Sequence, residues 1–273
     1  MSRLNDFFFK NVSLRQTVVK NTFWIFISQI GGRLIRAFIV IYGARKIGVS
    51  EYGAFSYALS FAALFSLLAD LGLDAAMIKD VSAYPEKASR YFATALFVKL
   101  ILIFIAVLFA VLLGPQFSTL QSADALLPIV ILILVLDNLR EFSFAISRAN
   151  QKMEQEAFVN ITTNTGIVVF GLWLITLQGN AWNLAVGYAI GTAIGALVGL
   201  YVIRDHIRNL ILNFRFDLVF RLLRIGWPLA FAGILGTLMI NTDTLLLGFW
   251  KSETEIGYYS AAQRPVSTLY GLL

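Results

Sequence analysis

Residues 52–76, YGAFSYALSFAALFSLLADLGLDAA, carry no charge before Asp70. As a helix, such a stretch rises about 37 Å, enough to cross a hydrocarbon core of about 30 Å. A barrel strand is shorter, about 10 residues, and alternates strictly between apolar and polar. In lipid only helices and closed barrels satisfy the backbone, so the segment reads as a transmembrane helix. The same reading places spans at 18–42, 91–113, 125–148, 157–178, 181–203, 222–249 and 256–273. Composition agrees: 273 residues, 58% apolar and only 14% charged, with a mean hydropathy of +0.75. A soluble domain carries about a quarter charged residues. With no cysteine, disulfide frameworks, zinc–cysteine sites and thiol catalysis are excluded. The expected fold is all-α, a polytopic transmembrane helical bundle.

The first span is not read as a cleaved signal, because it carries Arg33 and Arg36 and no small-residue site closes it. Between the spans and at their ends the basic residues sort by loop. Arg3, Lys10, Arg15, Lys20, Lys79, Lys87, Arg90, Arg148, Lys152, Arg204, Arg208, Arg215, Arg221 and Arg224 fall on one side, and Arg45, Lys46 and Lys251 on the other. This positive-inside bias predicts a cytoplasmic N-terminus. Five cations stay within the spans: Arg33, Arg36, Lys99, Arg140 and Arg264. Charge at membrane depth is costly and faces a cavity or a partner.

Residues 204–221, RDHIRNLILNFRFDLVFR, read as a cytoplasmic linker between a six-helix N-terminal lobe, 1–203, and the two-helix start of a C-terminal lobe, 222–273. Across it the chain repeats at an offset of 204 residues: EYGAFSYA at 51–58 matches EIGYYSAA at 255–262. Six intervening spans preserve direction, so the lobes are expected to be parallel repeats about an axis along the membrane normal, with a substrate site between them. The second copy reaches Leu273 within its second helix, which suggests an N-terminal fragment of a protein nearly twice as long.

Residues 43–82, GARKIGVSEYGAFSYALSFAALFSLLADLGLDAAMIKDVS, and 243–265, DTLLLGFWKSETEIGYYSAAQRP, resemble the two repeat signatures of polysaccharide and O-antigen flippases of the Wzx type. Those belong to the multidrug/oligosaccharidyl-lipid/polysaccharide (MOP) exporter superfamily. The resemblance covers spans 1–3 and 7–8 and extends to spans 4–6 only in layout. It implies two six-helix lobes in the cytoplasmic (inner) membrane and no enzymatic reaction. It also implies movement of a polyprenyl-pyrophosphate-linked oligosaccharide between leaflets, for a polysaccharide polymerase machinery to use. Competing readings are a multidrug or organic-cation antiporter of the same superfamily, and a membrane-embedded polymerase or glycosyltransferase. The short outer loops, poor in acids, argue against the last.

On span 1, Thr22, Gln29, Arg33, Arg36 and Gly43 form one helical stripe. Gln29, Arg33 and Arg36 are the candidates for a cavity that binds pyrophosphate, since guanidinium pairs bidentately with phosphate oxygens; the alternative is neutralisation by Asp70 or Asp137. The resemblance would add Arg264, facing Arg33 across the lobes, unless it pairs with Asp243. Asp243, before LLLG, matches a family acidic position with a structural role. Lys99 is expected to snorkel. Asp70 and Asp74 either couple an ion or pair with Lys79 at the surface. Asp137, Arg140 and Glu141 have the spacing of a self-neutralised cluster, with one acid available for ion coupling. Asn160, Thr163 and Asn164 share a face that can bond sugar hydroxyls or neighbouring helices. Gly187, Gly191, Gly195 and Gly199 form a small-residue packing ridge. They lie inside an apolar helix with no GK[ST], so they are no phosphate loop. His206 is read as solvated, and no cofactor or metal is expected.

Overall fold

The computed structural model describes residue 11 and residues 13–117, 121–208 and 210–270, by backbone alone at 115–117, 121, 210–211 and 264–270. Among them helices form every regular element. Helix α1 is Leu14–Ile47, opened by Ser13, whose hydroxyl accepts from the Gln16 amide at 3.3 Å. Gly48, at φ 91°, turns the chain directly into α2, Val49–Asp70; a residue with a Cβ takes this conformation only at a cost. Next come α3 (Leu73–Ala83), a 3-10 turn (Pro85–Lys87), α4 (Ala88–Phe117), α5 (Gln121–Ala149), α6 (Met153–Leu177) and α7 (Ala181–Val202). Two single turns, α8 (Arg204–Ile207) and α9 (Leu210–Asn213), lead to α10 (Phe216–Trp250) and α11 (Glu253–Tyr270).

Among the described residues each of the eight expected spans falls on helix, and seven of the helical stretches are long and apolar enough to cross a membrane; α11 is not among the seven. The protein is a multi-pass membrane protein. Its second span differs from the uninterrupted helix expected over 52–76. Leu71 and Gly72 are left-handed, at φ 45° and 73°, and break the helix in two. Asp70 restarts it, accepting from the amides of Gly72 at 3.1 Å and Asp74 at 3.3 Å. The tight spot needs Gly72, because the backbone of Gly226 and Ala230 in α10 fills the place a Cβ would take.

The packing of α6 on α7 is set by the glycine ridge. Gly187 lies on Gly171, Gly191 on Ile167, Gly195 on Thr163 and Gly199 on Ser143, with no room for a Cβ. Two buried apolar clusters hold the bundle. One joins α1, α2, α5, α6 and α7 around Phe55, Ala185 and Ile167; the other joins α3, α4 and the inner part of α5 to Leu222 of α10.

The expected linker is more structured than a tether. Helix α10 begins at Phe216, and the Arg215 amide donates to Thr94 Oγ1 at 3.1 Å, which docks the segment on α4. His206, expected to be solvated, is only half-buried: its ring meets Phe92 edge-on at 5.6 Å. Burial and then the nearby Lys152 charge lower its pKa below the usual value.

Candidate functional site: a polar cavity between the repeats

The arginine stripe of α1 opens onto two adjoining cavities. One, of about 380 Å³, is bounded by Arg33 and Arg36, by Asn241 and Thr244 of α10 and by Ser260 and Gln263 of α11. The other, of about 210 Å³, lies on the far side of the same arginines and is lined by Gln29, Arg140, Glu141 and Asn164. Arg36 Nε donates to Asn164 Oδ1 at 2.9 Å. Asn164 in turn donates to the Asn160 carbonyl at 2.8 Å, and Asn160 Nδ2 donates to Ser28 at 3.0 Å. A neutral amide therefore orients Arg36 without cancelling its charge. Thr163, third on that face of α6, back-bonds to the Val159 carbonyl at 2.7 Å instead.

Toward the basic end of the helices lies a larger cavity of about 660 Å³, which shares Leu59 and Asn241 with the arginine cavity. Its charged residues are Asp70, Asp74, Lys99, Asp137, Glu141 and Arg148. Lys99 does not snorkel. It is fully buried, with Nζ 2.7 Å from Asp70 Oδ1 and 2.8 Å from Asp74 Oδ2. The surface pairing of these acids with Lys79 is thereby replaced: an ammonium this deep needs partners, and the break at Leu71–Gly72 brings both carboxylates to it. Arg140 lies between Asp137 at 2.8 Å and Glu141 at 2.6 Å, with its guanidinium 5.1 Å above Phe144. Asp70 and Asp137, the expected alternative partners of Arg33 and Arg36, are occupied by these other cations.

This architecture places a polar, charged interior between the two copies of the repeat, within membrane-spanning helices. Residues 18–273 match the family described as polysaccharide biosynthesis protein. The chain belongs to that family. The polysaccharide biosynthesis proteins are part of the MOP superfamily, and the fold agrees. A solved MATE multidrug transporter, DinF-BH, determined with a bound ligand, superposes with a TM-score of 0.53 at 17% identity, over 93% of this chain and 60% of that one. MATE transporters are also of the MOP superfamily, and at this identity the likeness is one of fold. This polysaccharide biosynthesis protein thus spans 60% of the length of the transporter it matches. Comparison with curated proteins finds none that matches.

Of the remaining expected residues, Asp243 is exposed and accepts from the Tyr259 hydroxyl at 2.6 Å, tying α10 to α11. The side chain of Arg264 lies outside the described residues. Sequence reasoning did not assign Asn138, Ser260 or Gln263 to the cavity. Ser260 sits inside the repeat signature, one helical turn from Gln263, which was the available signal. Asn138, which donates to Ser66 Oγ at 2.9 Å, had none. Neither did the bidentate pair of Arg148 with buried Glu156, at 2.7 and 2.6 Å.

Proposed function

We propose that this polypeptide works in a flippase that carries a polyprenyl-pyrophosphate-linked oligosaccharide from the cytoplasmic to the outer leaflet of the inner membrane, for a polysaccharide polymerase to extend. One observation carries the reading: Arg33 and Arg36 open on polar cavities between the repeats, at membrane depth, and Arg36 is oriented by an amide. A diphosphate matches that arrangement, because guanidinium charge persists at any accessible pH and each group can hold two oxygens. The hydroxyl and amide groups of Asn241, Thr244, Ser260 and Gln263 suit sugars. The polyprenyl chain stays in lipid, rocking of the lobes presents the headgroup to the far side, and the protein makes or breaks no covalent bond. Asp137 and Glu141, paired with Arg140 but 44% and 43% exposed, are more open to a coupling ion than Asp70 and Asp74, which are paired with Lys99 and 34% and 18% exposed.

The test is mass spectrometry of polyprenyl-linked oligosaccharides after deletion of the gene, with leaflet access probed on intact spheroplasts. A single pyrophosphate-linked glycan should accumulate on the cytoplasmic face. A second reading, export of organic cations, draws on the fold shared with a multidrug transporter and on the four carboxylates of the larger cavity. Unchanged lipid-linked sugars together with greater sensitivity to cationic drugs would replace the first reading by the second.

A further inference from the structure

A separate cavity of about 460 Å³ lies away from the arginine stripe, between the 3-10 turn, the start of α4 and the start of α10. This is the face that the charge bias assigns to the cytoplasm. Lys87 and Arg90 form one wall and Arg215 and Arg221 the other, with Asp217 the carboxylate among its lining residues. Two of these cations are engaged. Arg221 clamps Asp80 at 2.7 and 3.3 Å, and Lys87 Nζ stands 5.1 Å over the Tyr84 ring. Among the described residues, the guanidiniums of Arg90 and Arg215 have neither a hydrogen bond nor an ion pair.

Position and surroundings add to this. Helix α4, 30 residues long, has no acidic side chain in its own first turn, though Glu86 sits in the 3-10 turn just before it. Arg215 is fixed there through its backbone, held at both amide and carbonyl by Thr94. Beside the pocket, Phe216 and Phe220 are 80% and 79% exposed and offer an apolar surface. Two unspent guanidiniums next to exposed aromatics, on the side of the anionic leaflet, match a phosphodiester with attached acyl chains.

We propose that this pocket binds the phosphate group of an anionic phospholipid, held by Arg90 and Arg215, with the acyl chains along Phe216 and Phe220. The bound lipid would bridge the six-helix half to α10. The site is independent of the transport reading.

The 273-residue chain in neutral detergent, with phosphatidylglycerol or phosphatidylcholine added at equal mole fraction, provides the test. Its unfolding midpoint and the lipids retained in native mass spectrometry are the readouts. Phosphatidylglycerol should raise the midpoint by several degrees over phosphatidylcholine, since a ligand of the folded state stabilises it. The double variant Arg90→Gln/Arg215→Gln should lose most of that increment and at least three-fold of the retained phosphatidylglycerol, with an unchanged midpoint in phosphatidylcholine; Arg90→Lys/Arg215→Lys should keep most of both. Glycerol phosphate at millimolar concentration giving the same Arg90- and Arg215-dependent increment would support the pocket but make its phosphate a soluble one. The proposal is overturned if the glutamine variant retains the full phosphatidylglycerol effect, or if phosphatidylglycerol is no better than phosphatidylcholine. It is equally overturned if the control Arg204→Gln/Arg208→Gln, which removes the same charge elsewhere on that face, loses as much.

Discussion

Gly53 of α2 and Gly257 of α11 occupy the same position in the two copies of the internal repeat, and they meet backbone to backbone. A Cβ on Gly53 would overlap the carbonyl of Glu253, and one on Gly257 the carbonyl of Val49. Around them Ser50 donates to Glu253 at 3.1 Å, and Ser122 bonds the other oxygen of the same carboxylate. Equivalent residues touch each other in this way only near a symmetry axis, which is the relation expected of parallel repeats.

Gly53→Leu or Gly257→Leu should therefore force α2 and α11 apart and lower stability by about 1 to 3 kcal/mol, the usual cost of overpacking. Thermal unfolding in detergent reads this, with Gly233→Leu as the control at a position where a Cβ meets nothing. Equal losses at all three sites would refute a specific contact between the repeats.

The Lys99 ion triad predicts a non-additive result. Lys99→Met leaves two carboxylates facing each other in a partly buried place and should cost about 3 kcal/mol, the low end for a broken buried pair because Asp70 is 34% exposed and screened. Asp70→Asn/Asp74→Asn added to Lys99→Met should recover most of the loss, as the unpaired charges are then gone. A triple variant as unstable as Lys99→Met alone would show that packing, not charge, accounts for the effect.

For transport, Arg33→Ala and Arg36→Ala should each lower glycan export at least ten-fold at normal membrane abundance, as the charge is lost. Asn164→Leu should have a smaller effect of a few fold, because it disorients Arg36 but leaves its charge. Complementation of a deletion strain, scored by surface polysaccharide, orders the three; full export by Arg33→Ala would remove that residue from the substrate site.

His206 supplies a dependence on pH. Its folded pKa lies below the unfolded value of about 6.5, so the unfolded chain binds the proton more readily. The contribution of His206 to stability is then complete above pH 6.5 and is lost as pH falls through the lower, folded value. His206→Phe keeps a ring against Phe92 and should show a smaller drop in unfolding temperature between pH 7.5 and 5.5 than the parent. Identical profiles would mean that the imidazole does not titrate in that contact.

The arginine stripe was legible because it depends on one helix: residues 29, 33 and 36 share a face in any α-helix, and a polar face at membrane depth must turn inward. The cluster of Asp137, Arg140 and Glu141 was legible for the same reason. Lys99 was misread because its partners belong to two other helices, α2 and α3, 29 and 25 residues earlier in the chain. They reach it only through the left-handed break at Leu71, a conformation that a leucine does not announce. His206 was misread because Phe92, which covers it, lies far off in sequence.

What the sequence by itself determined was the helical class, the placement of the seven helices long and apolar enough to span a membrane, and the repeat. Hydrophobic length leaves a lipid-embedded backbone almost no other way to satisfy its hydrogen bonds, and self-similarity needs no coordinates. The tertiary structure alone decided which charges are spent and which stay available. Asp70 and Asp74 went to Lys99, Asp80 went to Arg221, and Arg36 was left with an amide. An ion pair forms over about 4 Å, and only the packing of helices brings side chains from distant parts of the chain that close.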